Sequence, residues 1–368
     1  MTYLDNGATS FPKPQSVQRA VLRAMQTCTN PGRGGYTGAM EAAKTVFSCR
    51  MLASQLFDCQ PEQVAFTKNC TESLNIAIRS LVKPGGKVVI SGFEHNAVTR
   101  PLHALNAKIT VAGRRLFDPE DTVNAFEQAL RQGQDCAVFT YCSNVFGYVL
   151  PVERIANLCR KYAVPFIIDA AQAAGSHEVS LSKTGAAFIA MPGHKGLLGP
   201  QGTGLLLCGT DPVPLVFGGT GSVSLQQEMP SFLPDLLEAG TVNVPGIAGL
   251  GAGLRLLKKE GITNNGRRQR QEILWISKEM EKLGIFPFFG ESIGGSMSFT
   301  CEIEPERMAQ LLSDRGIWVR AGLHCAPLAH ESAGTLPMGT VRVSFGFGAN
   351  REQSKNLLRA VTGIVKKS

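Results

Sequence analysis

A chain of 368 residues, 43% apolar and only 18% charged, has enough apolar material to bury a large core, and whole-chain disorder is excluded. Its 40 glycines and 20 prolines follow no three-residue period, which rules out collagen. The formal charge of +8 is not gathered into a tract of the kind nucleic-acid binding needs.

The opening residues, MTYLDNGATSFPKP, lack the basic and apolar regions of a secretory signal, and no apolar run reaches the roughly 18 residues of a membrane span. A soluble, cytoplasmic protein is therefore expected, with no membrane partner and with ten cysteines kept as thiols. Helical periodicity marks 15–27, 40–57 and 72–81, stopped at Pro84-Gly85-Gly86. Short β-branched apolar runs then predict strands at 87–91, 109–112, 136–141, 165–168, 186–191 and 204–208, with helices at 123–131 and 152–162 between them. This alternation is the signature of a mostly parallel sheet covered by helices, an α/β fold. Beyond about 253 the pattern changes. A basic stretch, 254–282, reads as a solvated helix face; a strand at 296–304, a helix at 305–313, strands at 317–320 and 340–345 and a helix at 351–365 follow. The reading is a large α/β domain over 15–254, and a smaller α+β domain made of 1–14 with 255–368.

In an open parallel sheet, ligands bind beyond the carboxyl ends of the strands. The polar residues there are Glu94, His95 and Asn96; Ser143 and Asn144; Asp169 and Gln172; His194 and Lys195. Alone, each has an ordinary explanation as a cap, a surface histidine or a loop charge. Together they converge on one rim. Cys70-Thr71-Glu72 opens a helix, which is either an ordinary N-terminus or a cradle for a phosphate. A lysine, an aspartate, a histidine to cover a ring and a helix-borne anion site together match what pyridoxal 5'-phosphate demands. The Gly-rich stretches 199–204 and 249–253 are not dinucleotide fingerprints. No P-loop is present, and no CxxC pair suggests a metal.

Nine segments carry a family likeness: YLDNGATS (3–10), FTKNCTESLNIA (66–77), FEHNA (93–97), SNVFG (143–147), DAAQAAG (169–175), GHKGLLGPQGTG (193–204), EAGTVN (238–243), RAGLHCA (320–326) and GTVRVSFG (339–346). In order and spacing they resemble the class V aminotransferase-like enzymes of pyridoxal-phosphate fold type I, and within these the group II cysteine desulfurases, which include selenocysteine lyase. The resemblance implies that Lys195 binds the cofactor covalently, with His194 reaching its phosphate. Asp169 would pair with the pyridine nitrogen and Gln172 would face the phenolic oxygen. His95 would stack over the ring and serve in proton transfer, and Thr71 would hold the phosphate. Thr220, in FGGTG, would reach into a neighbouring subunit's site, which implies a homodimer. Asn144 and Arg342, with Arg320, would bind the substrate carboxylate. Cys325 would be the thiol that attacks the substrate sulfur, in an electropositive setting given by His324 and Arg320. The glycines of 193–204 and 217–221 would lie where backbone approaches the cofactor.

The chain departs from the family's pattern at Pro192, where a serine is usual; at Cys70, where a threonine is common; in FGGTG, in place of three glycines; and at Leu323, in place of a histidine. The expected reaction converts L-cysteine to L-alanine. Sulfur stays on Cys325 as a persulfide for a thiol or protein acceptor in iron–sulfur cluster or thiocofactor synthesis. Selenocysteine lyase, a cysteine or cystine C–S lyase and a plain aminotransferase are the alternatives within the fold; a non-catalytic nucleic-acid binder is the alternative outside it.

Overall fold

The computed structural model describes residues 1–32 and 34–366. Its centre is a seven-stranded sheet. From edge to edge the strands are Val64–Thr67, Gly204–Cys208, Phe188–Pro192, Phe166–Asp169, Cys136–Thr140, Lys87–Ser91 and Lys108–Ala112. The last five in that order are mutually parallel, whereas Gly204–Cys208 runs antiparallel to both of its neighbours. Every residue of Cys136–Thr140 and of Phe166–Asp169 is buried, as expected of central strands covered on both faces, so these read as continuous apolar runs rather than alternating ones. Helices returning between the parallel strands supply the cover. In Pro119–Arg131 the Asp118 carboxylate accepts from the Asp121 N–H, and proline takes the first helical position, where no N–H is needed. The apolar side, Phe126, Ala129 and Leu130, packs on the sheet core.

The edge strand Val64–Thr67 has no counterpart in the sequence reading. All but one of its four residues are buried, so it shows no alternation, and its partner lies far away in the chain.

The basic stretch after residue 253 belongs to two helices, Val244–Glu260 and Ile262–Glu281, broken at Gly261, whose φ of +82° ends the first. Behind them an antiparallel sheet has the order Arg320–Gly322, Thr340–Ser344, Ser296–Thr300, Phe286–Phe288. A separate core of Leu4, Ile273, Phe299, Leu312, Val343 and Leu357 lies there. The first residues of the chain join this part, because Thr2–Tyr3 pairs in parallel with Ile317–Trp318. No helix among the described residues is long and apolar enough to cross a membrane.

One buried ion pair ties the helical layer to the sheet edge. Arg50 meets Glu238 through both guanidinium nitrogens, at 2.9 and 2.8 Å, and also donates to the Val64 carbonyl; the same carboxylate accepts from the Phe66 N–H at 2.8 Å. Both side chains are less than a tenth exposed. Removing one member leaves an unpaired buried charge, which costs about 3–5 kcal/mol. Glu238→Gln should therefore lower unfolding stability by that order in a denaturant titration; a change near zero would show that the pair carries little net stabilisation.

Candidate active site

The strand ends assemble the site. Asp169 is the last residue of its strand, and Lys195 follows closely after Pro192 ends the neighbouring one. His95 and Asn144 follow the strands on the other side, and the helix Cys70–Leu81 starts across from them. Thr71, His95, Asn144, Asp169, Gln172, His194 and Lys195 line one cavity of about 100 Å³. Seven of the candidate residues thus share a single rim.

Asp169 is nearly inaccessible, and burial pushes its carboxyl upward; the Ala171 N–H, the Lys195 charge and the Cys70 thiol pull it back. All its protein hydrogen bonds fall on Oδ1, from Ala171 N at 2.9 Å and from Cys70 Sγ at 3.6 Å. Lys195 lines this cavity and is only partly accessible. Desolvation therefore lowers its amine, the nearby Arg342 lowers it further, and Asp169 partly restores it.

His95 is the N-cap of the helix Asn96–Ala104, and its Nδ1 accepts from the Ala97 N–H at 3.0 Å, so the ring's proton sits on Nε2. Burial first, and then Lys195, bring its pKa down to about 4, which makes it neutral near pH 7. His194 is held by the N-terminal segment. Its Nδ1 lies 3.1 Å from Thr9 Oγ1, and its carbonyl accepts from the Ser10 N–H and from Lys13 Nζ. Gln172 donates to the Gly7 carbonyl at 3.0 Å.

Arg342 is buried. It donates to Asp5 Oδ1 at 2.5 Å and to the Asn144 carbonyl at 2.9 Å, while its Nε has no partner among the described residues. Asp5 was missed from the candidate residues, although it lies inside the YLDNGATS segment. Arg320, paired with Arg342 across the small sheet, is exposed.

Cys325 alone among the ten cysteines is exposed. It follows His324 in a turn where both residues adopt positive φ, 50° and 57°, an uncommon pair for residues other than glycine. Two hydrogen bonds fasten this turn to the rim: Asn144 Nδ2 donates to the His324 carbonyl at 2.7 Å, and Asn96 N–H donates to the Cys325 carbonyl at 2.8 Å. The expected positive setting from His324 does not hold. Burial, with Arg342 adding to it, lowers that imidazole to about 2, so it is neutral, and Arg320 is left as the cation of the RAGLHCA segment.

Thr220 lies away from this cavity, bonded to Ser222 Oγ at 3.0 Å and bordering a larger one of about 600 Å³ with Arg50 and Glu238. Among the described residues, that larger space borders no His, Cys or Lys, unlike the smaller one. Two glycines of 193–204 also have close protein neighbours. A Cβ on Gly196 would lie 2.1 Å from the Ala174 carbonyl oxygen, and one on Gly193 would lie 2.1 Å from Thr203 Oγ1. At these two positions glycine lets protein segments pack closely on one another.

Glu94, also on the rim, faces the core. Its Oε1 accepts from the Thr140 N–H at 2.9 Å and from the Ser91 hydroxyl, its Oε2 has no partner among the described residues, and burial raises its pKa to about 8. The folded state thus holds this proton more tightly than the unfolded chain, where the ordinary value is 4.5. Stability from this group is full below that lower value and falls as pH rises towards the upper one. Glu94→Gln, which cannot ionise, should gain on the wild type steadily between about pH 5 and 8 in thermal melts. An equal pH slope for both proteins would contradict this.

A sheet rim that sets a desolvated lysine amine opposite a buried carboxylate, with a helix N-terminus at the far side, defines an α/β enzyme of the aminotransferase type. The chain belongs to the aminotransferase class-V family, whose model matches residues 2–357. Curated relatives include probable cysteine desulfurases from Pyrococcus abyssi, 30% identical over 99% of this chain and 94% of that one, and from Methanothermobacter thermautotrophicus, 30% identical over 91% and 88%. Among solved structures, the apo cysteine desulfurase from Thermococcus onnurineus NA1 is 28% identical with a TM-score of 0.92, covering 100% of this chain and 95% of that one.

Proposed function

We propose that the protein is a cysteine desulfurase dependent on pyridoxal 5'-phosphate, which converts L-cysteine to L-alanine and retains the sulfur on Cys325. The observation that carries this reading is the placement of the one exposed cysteine on a turn hydrogen-bonded to Asn144 and Asn96, at the rim of the lysine cavity. An aminotransferase has no use for a thiol there.

The donor set fits the cofactor. Asp169 keeps Oδ2 free of protein hydrogen bonds among the described residues, suited to a protonated ring nitrogen. At the helix start, Asn69 caps the Glu72 N–H, while the N–H groups of Cys70 and Thr71 and the Thr71 hydroxyl remain available for a phosphate. His194 and Gln172 border the same space, and Lys195 supplies an amine with no hydrogen-bond partner among the described residues. Bound there, pyridoxal phosphate supplies an electron sink that makes the substrate's Cα proton acidic.

Lys195, held below its ordinary range, is the base that takes that proton and later returns one. Arg342 and Asn144 orient the substrate carboxylate, with Arg320 adding charge at the entrance. Cys325 Sγ, as thiolate, attacks the substrate sulfur. An S–S bond forms as the Cβ–S bond breaks, the electron pair stays with the carbon fragment, and protonation of that fragment yields alanine. His95, neutral with its proton on Nε2, is placed to pass a proton. A thiol acceptor then removes the sulfur, and a reducing cytoplasm keeps Cys325 available. On this reading, residues 15–254 form the cofactor-holding domain, and 1–14 with 255–368 form the domain that brings the thiol.

Product analysis with L-cysteine, L-selenocysteine and L-cystine side by side tests the assignment. Alanine and enzyme-bound sulfur from cysteine support it; pyruvate or a keto acid as the main product defeats it.

The chain is also proposed to pair with a second copy. Phe217, Leu225 and Phe47 are exposed at 73%, 100% and 60%, the first two flanking Thr220 in sequence and Phe47 bordering the same cavity, apolar side chains that a second copy could cover. Sedimentation equilibrium should give twice the chain mass; a monomer at micromolar concentration rejects this.

A further inference from the structure

We infer that Cys70 is a positioning residue for Asp169: its thiol donates to Oδ1, and together with the Ala171 N–H it turns Oδ2 towards the cavity as the one free acceptor. The inference rests on the pyridoxal-phosphate reading above and assigns a role to the position at which the chain departs from its family's threonine.

The geometry carries the argument. Cys70 is the first residue of the helix Cys70–Leu81 and is 9% exposed, so helix and sheet fix its side chain. Its sulfur lies 3.6 Å from Asp169 Oδ1, within reach of an S–H···O bond, and Ala171 N–H reaches that same oxygen at 2.9 Å. A carboxylate restrained on only one side can rotate about its last bond, and two donors on one oxygen oppose that rotation. Burial and the neighbouring Asp169 charge raise the Cys70 thiol well above its ordinary value, so it stays protonated and remains a donor. It is thus unlike Cys325, whose proposed work needs the thiolate. The same helix start also offers N–H groups to a phosphate, so one residue couples the anion cradle to the carboxylate on the opposite side of the ring site.

Threonine and valine at this position have nearly the same shape and differ in a hydroxyl, which separates hydrogen bonding from packing. The wild type, Cys70→Thr and Cys70→Val are prepared without cofactor, and pyridoxal 5'-phosphate is titrated in by absorbance. Cys70→Thr should bind within about threefold of the wild type, whereas loss of a hydrogen bond to a charged group should make Cys70→Val weaker by about tenfold or more. The pH midpoint of the bound cofactor's absorbance should move by about half a unit or more in Cys70→Val and stay in place in Cys70→Thr. Cys70→Ala, which only shortens the side chain, should follow Cys70→Val, and it covers the case in which the branched residues crowd the helix start. Valine or alanine variants that match the wild type in both affinity and midpoint would overturn the inference while leaving the proposed function intact. Loss shared equally by threonine and valine, with alanine unaffected, also overturns it, because that pattern is steric. A wild-type protein that takes up no cofactor overturns both.

Discussion

Cys325→Ser should cut alanine release from L-cysteine by at least about a thousandfold, because a hydroxyl at this position does not act as a sulfur nucleophile. The cofactor's absorbance and its fixation by borohydride should be unchanged, since the turn is held by backbone carbonyls of His324 and Cys325 that serine retains. The expectation concerns one atom on an otherwise preserved loop, so a folding explanation can be checked by melting the same preparation. Any transamination or elimination that the site performs should survive the change. Alanine release at the wild-type rate in this variant would defeat the desulfurase mechanism.

Lys195→Ala carries the second large effect. The variant should bind pyridoxal phosphate without a covalent link, and borohydride should no longer fix it. Loss of proton transfer alone should slow turnover by about 10²–10⁴-fold. Another desolvated lysine lies close enough to be confused with it. Lys13, lowered by burial to about 8, approaches the His194 carbonyl and Ser10 Oγ at 2.7 Å each. Its amine is thus engaged in holding the N-terminal segment, whereas the Lys195 amine has no hydrogen bond among the described residues. Borohydride fixation that persists in Lys195→Ala and vanishes in Lys13→Ala would reverse the assignment.

The rim was legible because apolar runs and the polar residues after them are adjacent in sequence. A strand such as Phe166–Asp169 announces both its burial and its ligand-facing end within a few residues. Val64–Thr67 was not legible, since a four-residue buried strand is defined by its antiparallel partner Leu205–Leu207 rather than by any pattern of its own. Charge state was the other gap. His324 beside Cys325 reads as a positive neighbour in one dimension, but its neutrality follows from burial against Arg342 and His330, which only the fold brings together. In the glycine-rich 193–204 the number of glycines signals close approach, but that Ala174 packs on Gly196 and Thr203 on Gly193 is visible only in the fold. Thr220 lies in a separate cavity within one chain, so its expected role requires a second copy, which is a property of assembly rather than of local pattern.

The two carbonyls pinned beside Cys325 bear on how its cargo would leave. Hydrogen bonds from a helix start, Asn96, and from the loop after a strand, Asn144, oppose swinging of the turn, so on the proposed function the reach of the sulfur rests mainly on rotation within a single short side chain. If the proposed function holds, delivery would fall to the acceptor, which would have to bring a thiol to the doorway on an extended or protruding segment. Enzyme and recipient would meet as dock and courier, with all of the travel on the recipient's side.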